Sequence, residues 1–185
     1  MRIIAGKGRG KKLKAPKDNK IRPTLDRVKE SLFNILGPEI MDSTFLDIFC
    51  GSGAIGIEAY SRGAEKVVFV DKDKDSINLT RENLASCNFS GGTYKILEED
   101  AYSSINKLAN SEGEFDYIFM DPPYDMSQIT DLLKLISKKS LLKSKGILII
   151  ETDIKEELDE NIGNLKKYRE KTYSISKLSF YERIG

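Results

Sequence analysis

The chain has 185 residues, of which 39% are hydrophobic and 32% are charged, which is typical of one soluble globular domain. Its longest apolar runs, at residues 66–70 and 146–150, are far shorter than the roughly 20 residues that span a bilayer, and no apolar leader is apparent. The chain has two cysteines, which form no Cys-x-x-Cys pair, so the sequence excludes a disulfide framework and a zinc site, and we expect a cytoplasmic protein. The absence of histidine excludes histidine acid–base chemistry.

Positive charge is concentrated at the N-terminus. Residues 1–30 hold eleven Lys or Arg against three Asp or Glu, a balance of +8, whereas the rest of the chain carries −7. A basic, glycine-rich arm is typical of a protein that contacts a phosphate backbone. The alternative is a disordered tail that only aids solubility, but the apolar pair Ile3-Ile4 favours a docked arm. We therefore assign residues 1–23 to a basic arm and residues 24–185 to a single domain.

The first predicted element of that domain is an amphipathic helix that starts after Pro23 and ends at Gly37-Pro38. Its apolar positions recur at three- and four-residue spacing, at Leu25, Val28, Leu32, Phe33, Ile35 and Leu36. Short strands and helices then alternate. Strands are predicted over residues 44–49, 66–70, 93–97, 115–120 and 146–151, and helices over residues 54–62, 74–87, 102–110 and 127–137.

This alternation indicates an α/β fold of the doubly wound, Rossmann-like kind, with a mostly parallel sheet and helices on both of its faces. The C-terminal part of the chain differs, because residues 166–173 and 177–183 are predicted as two strands with no helix between them. We expect these two strands to pair antiparallel at one edge of a seven-stranded sheet.

Three glycines follow the first predicted strand, at the position where doubly wound sheets bind ligands. Gly51 and Gly53 allow a sharp turn and a close approach of the ligand, and Gly56 allows close packing of the next helix on the sheet. The pattern alone is weak evidence, because nicotinamide and flavin enzymes use it to bind pyrophosphate. Asp47, four residues before Gly51, would repel a pyrophosphate but suits a cofactor with an ammonium and a sulfonium. The sequence therefore favours S-adenosylmethionine over NAD.

Two further acids lie at the ends of the next strands. Asp71 ends the second strand, where a carboxylate can accept hydrogen bonds from both ribose hydroxyls of an adenosine. Asp100 follows the third strand and could accept from an adenine amino group, while the Ala101 amide donates to the ring. The alternative for Asp100 is capping of the following helix.

The stretch Asp121-Pro122-Pro123-Tyr124 follows the fourth predicted strand. An exocyclic amine of a nucleobase is a poor nucleophile, because its lone pair is delocalised into the ring. The Asp121 side chain and the Pro122 carbonyl can accept its two N–H groups, and both bonds strengthen as the nitrogen becomes cationic. The prolines stiffen the backbone, and Tyr124 offers a face on which a flipped base can stack. The alternative is that this stretch is only a rigid turn. Because the stretch follows an apolar strand in the same fold as the glycine turn, we favour methyl transfer to a nucleobase.

Three neighbouring residues are predicted to be structural. Cys50, beside the glycines, is expected to be a small buried filler because no basic partner is identifiable. Phe180 and Tyr181 alternate in a strand pattern and are expected to belong to the core of an edge strand.

Residues 2–13, 22–34, 47–59 and 121–124 together resemble the bacterial RsmD-type methyltransferases, and the match covers nearly the whole chain. The most particular element is Arg-Pro-Thr-x-x-Arg-Val at residues 22–28. The resemblance implies a class I methyltransferase fold, with S-adenosylmethionine as donor, S-adenosylhomocysteine as product and no metal. It further implies transfer to N2 of one guanine in 16S ribosomal RNA, in a small-subunit particle, by a monomer.

The resemblance also implies roles for individual residues. Cofactor contacts fall on Asp47, Gly51, Gly53, Asp71, Asp100 and Ala101; catalytic roles on Asp121, Pro122 and Tyr124; and substrate contacts on Pro123, Arg9, Lys11, Arg22, Thr24 and Arg27. One position departs from the family pattern, since Gly8 stands where many relatives have a bulkier residue. Two alternatives stay open: a DNA adenine-N6 methyltransferase, because these enzymes share Asp-Pro-Pro-Tyr, and a catalytically silent RNA-binding protein of the same fold.

Overall fold

The computed structural model describes residues 1–16, 23–123 and 128–185, and at residues 23–25 it describes the backbone. Arg22, Tyr124 and the side chain of Thr24, which the sequence predicts to contact substrate, lie outside these residues. The described helices are α1 (Pro23–Leu36), α2 (Ala54–Ser61), α3 (Lys74–Cys87), α4 (Ala101–Ser111) and α5 (Ile129–Lys138), with a 3-10 helix at Gly37–Ile40. None of these helices combines the length and apolar character needed to cross a bilayer.

The described strands are β1 (Thr44–Ile48), β2 (Lys66–Asp71), β3 (Thr93–Glu98), β4 (Phe115–Met120), β5 (Leu142–Asp153), β6 (Asn161–Ile162), β7 (Leu165–Thr172) and β8 (Ser176–Arg183). The predicted order of strands and helices is confirmed. Seven strands were expected and eight are present among the described residues, because β6 is only two residues long and is too short to show a periodic pattern. β5 also starts four residues earlier than expected, since its polar residues 143–145 interrupt the apolar run.

The first of two compact units comprises Met1–Glu99. Its strands lie in the order β3-β2-β1 and are all parallel, with Leu46 opposite Val68 and Val68 opposite Lys95. The strand pairs are joined through α2 and α3, which is the alternation that predicted a parallel sheet. Phe45, Leu46, Val67 and Val68 are completely buried in its core.

The second unit comprises Asp100–Gly185, and its strands lie in the order β4-β5-β8-β7-β6. β4 and β5 are parallel, whereas the three remaining pairings are antiparallel. The predicted antiparallel pairing of the last two long strands is confirmed, and β8 lies between β5 and β7. Phe180 and Tyr181 are completely buried, as predicted for strand core residues.

The N-terminal arm is docked on the first unit, as the apolar pair at residues 3 and 4 predicts. Residues 1–13 form a hairpin, with an antiparallel bridge between Arg2 and Lys12. Ile3 is 1% exposed and Leu13 is 5% exposed, so both strands of the hairpin contribute to the core. The disordered-tail alternative therefore does not hold for this part of the arm.

Candidate functional site

The turn between β1 and α2 contains three residues with left-handed backbone. The φ angle is 64° at Phe49, 54° at Gly51 and 75° at Gly53. Glycine adopts this conformation freely, but a bulky aromatic residue such as Phe49 rarely does. Strained backbone of this kind concentrates at ligand sites, so this turn stays a candidate for the cofactor site.

The Asp47 carboxyl group is buried at the start of α2. It is 1% exposed, and its Oδ2 accepts a hydrogen bond of 2.9 Å from the Gly56 amide. Burial is the main cause that raises the pKa of Asp47 to about 7; the Asp71 charge adds to this effect and the Gly56 bond opposes it. A Cβ at Gly56 would lie 2.4 Å from the Phe69 ring, so the predicted close packing of α2 on the sheet is confirmed.

Asp71, at the end of β2, connects directly to the glycine turn. Its Oδ2 accepts from the Gly51 amide at 2.9 Å and its Oδ1 accepts from the Asp73 amide at 2.9 Å. A carboxylate has about four lone-pair sites, so each oxygen can still accept a further hydrogen bond. The side chain is only half-buried and can therefore reach a ligand at the turn.

Asp100 is exposed and caps α4, which is the alternative that the sequence left open. Its side chain accepts from the Ser103 amide at 3.0 Å. Hydrogen bonds from the Ser103 side chain and amide lower the pKa of Asp100 below its ordinary value. Ala101 is the first residue of α4, and its amide therefore has no partner of its own within the helix.

Asp121 comes directly after β4, at the boundary between strand and turn. The Asp121 side chain is half-buried, Pro122 is buried and Pro123 is exposed. The exposed Pro123 ring is accessible to a ligand, whereas the Pro122 ring is not. The roles that the sequence predicts for these three residues stay predictions.

Glu58, on α2, holds the arm in place. It is completely buried, and its two oxygens accept from the Ile4 amide at 2.9 Å and the Ala5 amide at 3.0 Å. The charge is balanced by the Arg62 guanidinium at 2.8 Å and by the buried Lys29 ammonium at 3.4 Å. Burial lowers the pKa of Lys29, although the Glu58 charge opposes this effect.

The basic side chains of the arm divide into two groups. Lys11 donates to the Cys87 carbonyl at the end of α3, and Lys7 donates to the Ser90 carbonyl at 3.2 Å. Arg9 and Lys12 are exposed as well, but they form no ion pair with any residue that the structure describes. Arg9 and the exposed Arg27 of α1 therefore remain candidates for phosphate contacts, whereas Lys11 also caps a helix.

Cys50 is buried, as predicted. It is 8% exposed, and its sulfur lies 3.7 Å from the Thr80 hydroxyl. Burial raises the pKa of the Cys50 thiol, and the Asp47 charge adds to this effect. The thiol is therefore held in the neutral form, which is a poor nucleophile.

The family model described as conserved hypothetical protein 95 matches residues 1–182. The chain belongs to this family. It is 38% identical to YlbH of Bacillus subtilis over 185 residues, which is 100% of both chains. It is 36% identical to ribosomal RNA small subunit methyltransferase D of Haemophilus influenzae, over 98% of this chain and 93% of the relative.

A solved structure confirms the fold class. The structure of yhhF from Escherichia coli aligns with a TM-score of 0.84 and 31% identity, over 99% of this chain and 97% of that chain. The family members thus share a doubly wound, Rossmann-like class I methyltransferase fold. The resemblance to RsmD-type methyltransferases, inferred from the motifs, is confirmed.

Sequence reasoning missed two residues of this region. Glu58 had one signal, because it is a lone charge in the otherwise apolar and small sequence of α2. The two arm amides that Glu58 binds are 53 or 54 residues away, so local patterns could not identify them. The left-handed Phe49 had no signal, because aromatic residues are rare in this conformation.

Proposed function

We propose that this protein transfers a methyl group from S-adenosylmethionine to the exocyclic N2 of one guanine in 16S ribosomal RNA. The observation that carries the proposal is the buried Asp47 carboxyl group at the glycine turn. It already accepts from the Gly56 amide in the first turn of α2, where a dinucleotide enzyme presents its amides to pyrophosphate. An acid at this position disfavours a pyrophosphate and suits a cofactor that carries a positive ammonium and a positive sulfonium.

The remaining cofactor contacts follow from the strand ends. The glycine turn lets the cofactor approach the backbone, and Asp71 would accept from its ribose hydroxyls through lone pairs that the two amides leave free. The exposed Asp100 carboxylate would accept from the adenine amino group, and the Ala101 amide would donate to the ring. Asp47 would face the ammonium directly or through water.

The second half of the proposed site orients the guanine. The Asp121 carboxylate and the Pro122 carbonyl would each accept one N–H of the amine, while Pro123 and Tyr124 would contact the base. The cofactor supplies an electrophilic methyl group. As the new N–C bond forms, the S–C bond breaks and S-adenosylhomocysteine leaves.

Asp121 does not have to deprotonate the amine before transfer. An ordinary aspartate, with a pKa of about 3.9, is too weak a base for a neutral aryl amine. After transfer the nitrogen is strongly acidic, and its proton passes to Asp121 or to water. Most of the rate gain would therefore come from the alignment of nitrogen, methyl and sulfur.

The RNA partner is supported by the arm and by the relatives. The Haemophilus influenzae relative is named a ribosomal RNA small subunit methyltransferase, and the arm presents exposed basic side chains on the same unit as the glycine turn. We infer that Arg9, Lys11, Arg22, Thr24 and Arg27 face the RNA, and that the substrate is a small-subunit particle in the cytoplasm. The protein would act as a monomer of one methyltransferase domain, residues 24–185, with a basic arm, residues 1–23.

The proposed reaction requires no metal, because the sulfonium already activates the methyl group. Among residues 1–16, 23–123 and 128–185, no group of three or more side chains is placed to hold a metal ion.

The decisive experiment supplies cofactor labelled in its methyl group together with unmethylated small-subunit particles, ribosomal RNA or DNA, and identifies the labelled nucleoside by mass spectrometry. We expect N2-methylguanosine from the ribosomal substrates. Label on DNA adenine would replace the proposal with the first alternative. No label on any substrate, together with no cofactor binding by calorimetry, would support the RNA-binding alternative.

Asp121→Ala tests the site itself. We expect the methylation rate to fall by about 10² to 10⁴, because one acceptor of the amine is lost, while cofactor affinity changes little. Asp131→Ala, on the exposed surface of α5, is the matched control and should retain the full rate. Unchanged turnover of the Asp121 variant would contradict the role assigned to this carboxylate.

A further inference from the structure

Three aromatic side chains of the first unit form a cluster beside the arm. Tyr60, on α2, contacts Phe89 edge to face at 5.3 Å between ring centroids, and it contacts Tyr94 edge to face at 6.1 Å. Tyr60 is 5% exposed, whereas Tyr94, on β3, is 51% exposed. Phe89, in the loop between α3 and β3, is half-buried. The cluster therefore has a buried centre and an exposed rim.

The cluster is fixed by contacts that do not depend on a ligand. The Tyr60 hydroxyl donates to the Gly91 carbonyl at 2.7 Å, which ties α2 to the loop that carries Phe89. The arm closes the other side, since a Cβ at Gly8 would lie 2.7 Å from the Phe89 ring. Tyr94 therefore packs against Tyr60, which its own hydrogen bond fixes, while about half of the Tyr94 surface faces solvent.

Two arm lysines bind backbone carbonyls on either side of Phe89. The Lys11 ammonium lies 6.0 Å from the Phe89 ring centroid and donates to the Cys87 carbonyl, and the Lys7 ammonium donates to the Ser90 carbonyl. Each ammonium has three N–H donors, so each retains donors after making one of these bonds. Exposed aromatic surface next to positioned cations is the combination that binds unpaired nucleotides.

We propose that Tyr94 is a stacking surface for an unpaired RNA base, with Lys7 and Lys11 contacting the adjacent phosphates. The choice of RNA rests on the proposed function, and the contact is separate from the site of methyl transfer. The arm connects the aromatic cluster with the glycine turn. At Lys14 the arm amide donates to Asn83, whose side chain also donates to the Ser52 carbonyl in the glycine turn. At Gly8 the arm packs against Phe89 of the cluster. The chain from Gly8 to Lys14 spans at most about 20 Å, so an RNA strand along the arm can reach both.

The test measures binding of a fluorescein-labelled single-stranded RNA of about 12 nucleotides by anisotropy, without cofactor. Tyr94→Ala should weaken binding by about 5- to 150-fold, the equivalent of one lost stacked base. Tyr94→Phe should bind like the unmodified protein. Tyr168→Ala is the matched control, because Tyr168 is 44% exposed on β7 and lies in the other unit.

Two further readouts separate stacking from other causes. Tyr94→Ala should leave the dependence of affinity on salt unchanged, because stacking releases no counterions. Its effect should be absent with a duplex of the same length, whose bases are already paired. If thermal melting shows that Tyr94→Ala is unfolded, Tyr94→Leu keeps an apolar contact with Tyr60 and should still weaken binding.

Unchanged affinity of a folded Tyr94→Ala or Tyr94→Leu variant would overturn the proposal, as would an equal loss with the duplex. These outcomes are independent of methyl transfer, since no cofactor is present. A protein that shows the Tyr94 effect but methylates no RNA would retain the stacking surface and lose the proposed function.

Discussion

At the scale of single residues, the pKa of Asp47 has a consequence for stability. Its folded-state pKa of about 7 lies above the value of about 3.9 expected in an unfolded chain. Folding therefore holds the proton more tightly than the unfolded state does. The corresponding stabilisation is complete below about pH 4 and is lost as the pH rises to about 7.

Asp47→Asn should therefore become more stable relative to the unmodified protein as the pH rises from about 4 to about 8, by at most about 4 kcal/mol. The amide oxygen of Asn can still accept from the Gly56 amide, so the comparison isolates the titration. Urea denaturation at both pH values measures the difference.

Asp73→Asn is a control whose titration lies outside this range. The amide and side chain of Ser76 lower the pKa of Asp73, so the stabilisation from its carboxylate is lost only as the pH falls below about 4, and the stability difference of this variant should stay nearly constant between about pH 4 and about pH 8. A stability difference for Asp47→Asn that stayed constant over this pH range would contradict the perturbed titration.

At the scale of elements, the docking of the arm depends on one helix. α2 begins at the glycine turn and carries Glu58, which binds two arm amides. Ser61, also on α2, donates from its hydroxyl to the Ala5 carbonyl and accepts from the Gly8 amide. The same short helix thus supports both the predicted cofactor turn and the predicted RNA arm.

Glu58→Gln should destabilise the protein by about 3 to 5 kcal/mol, because it removes the carboxylate that pairs with the buried Lys29 ammonium. Hydrogen exchange should speed up at the Ile4 and Ala5 amides in particular. Glu82→Gln is the control, since Glu82 pairs with Lys14 on the surface and should cost no more than about 1 kcal/mol. Equal exchange rates at the arm amides in Glu58→Gln and the unmodified protein would contradict an anchoring role.

At the scale of the whole molecule, a near-neutral chain separates its charge into a basic N-terminal segment and an acidic remainder. Deleting the arm is a poor test of its charge, because Ile3 and Leu13 belong to the core. Substitution of single exposed cations changes the charge without removing buried side chains.

Arg9→Gln should weaken RNA binding and reduce the slope of log affinity against log salt by about 0.7, the value for one phosphate contact on a single strand. Stability should not change, because Arg9 is exposed. Lys134→Gln, on the surface of α5, should leave the slope unchanged. A slope in Arg9→Gln equal to that of the unmodified protein would exclude this side chain from phosphate contact.

Local sequence was sufficient for the order of the elements, whereas the roles of the candidate site residues stay predictions. Periodicity predicts the helices and strands because each depends on neighbouring residues that share one face. Glycines and acids at strand ends were likewise recognisable, because their positions follow from the strands before them. Periodicity could not reveal β6, which is too short to show a pattern.

The sequence by itself determined the fold class, the family and the position of the glycine turn, all of which are written in contiguous motifs. Only the tertiary structure decided that Asp47 is buried, that Lys11 caps α3, and that Glu58 holds the arm. Tyr60, Phe89 and Tyr94 likewise meet only in the folded chain. The reason is that burial and ion pairing depend on residues that are distant in sequence, which chain packing brings together and no local pattern records.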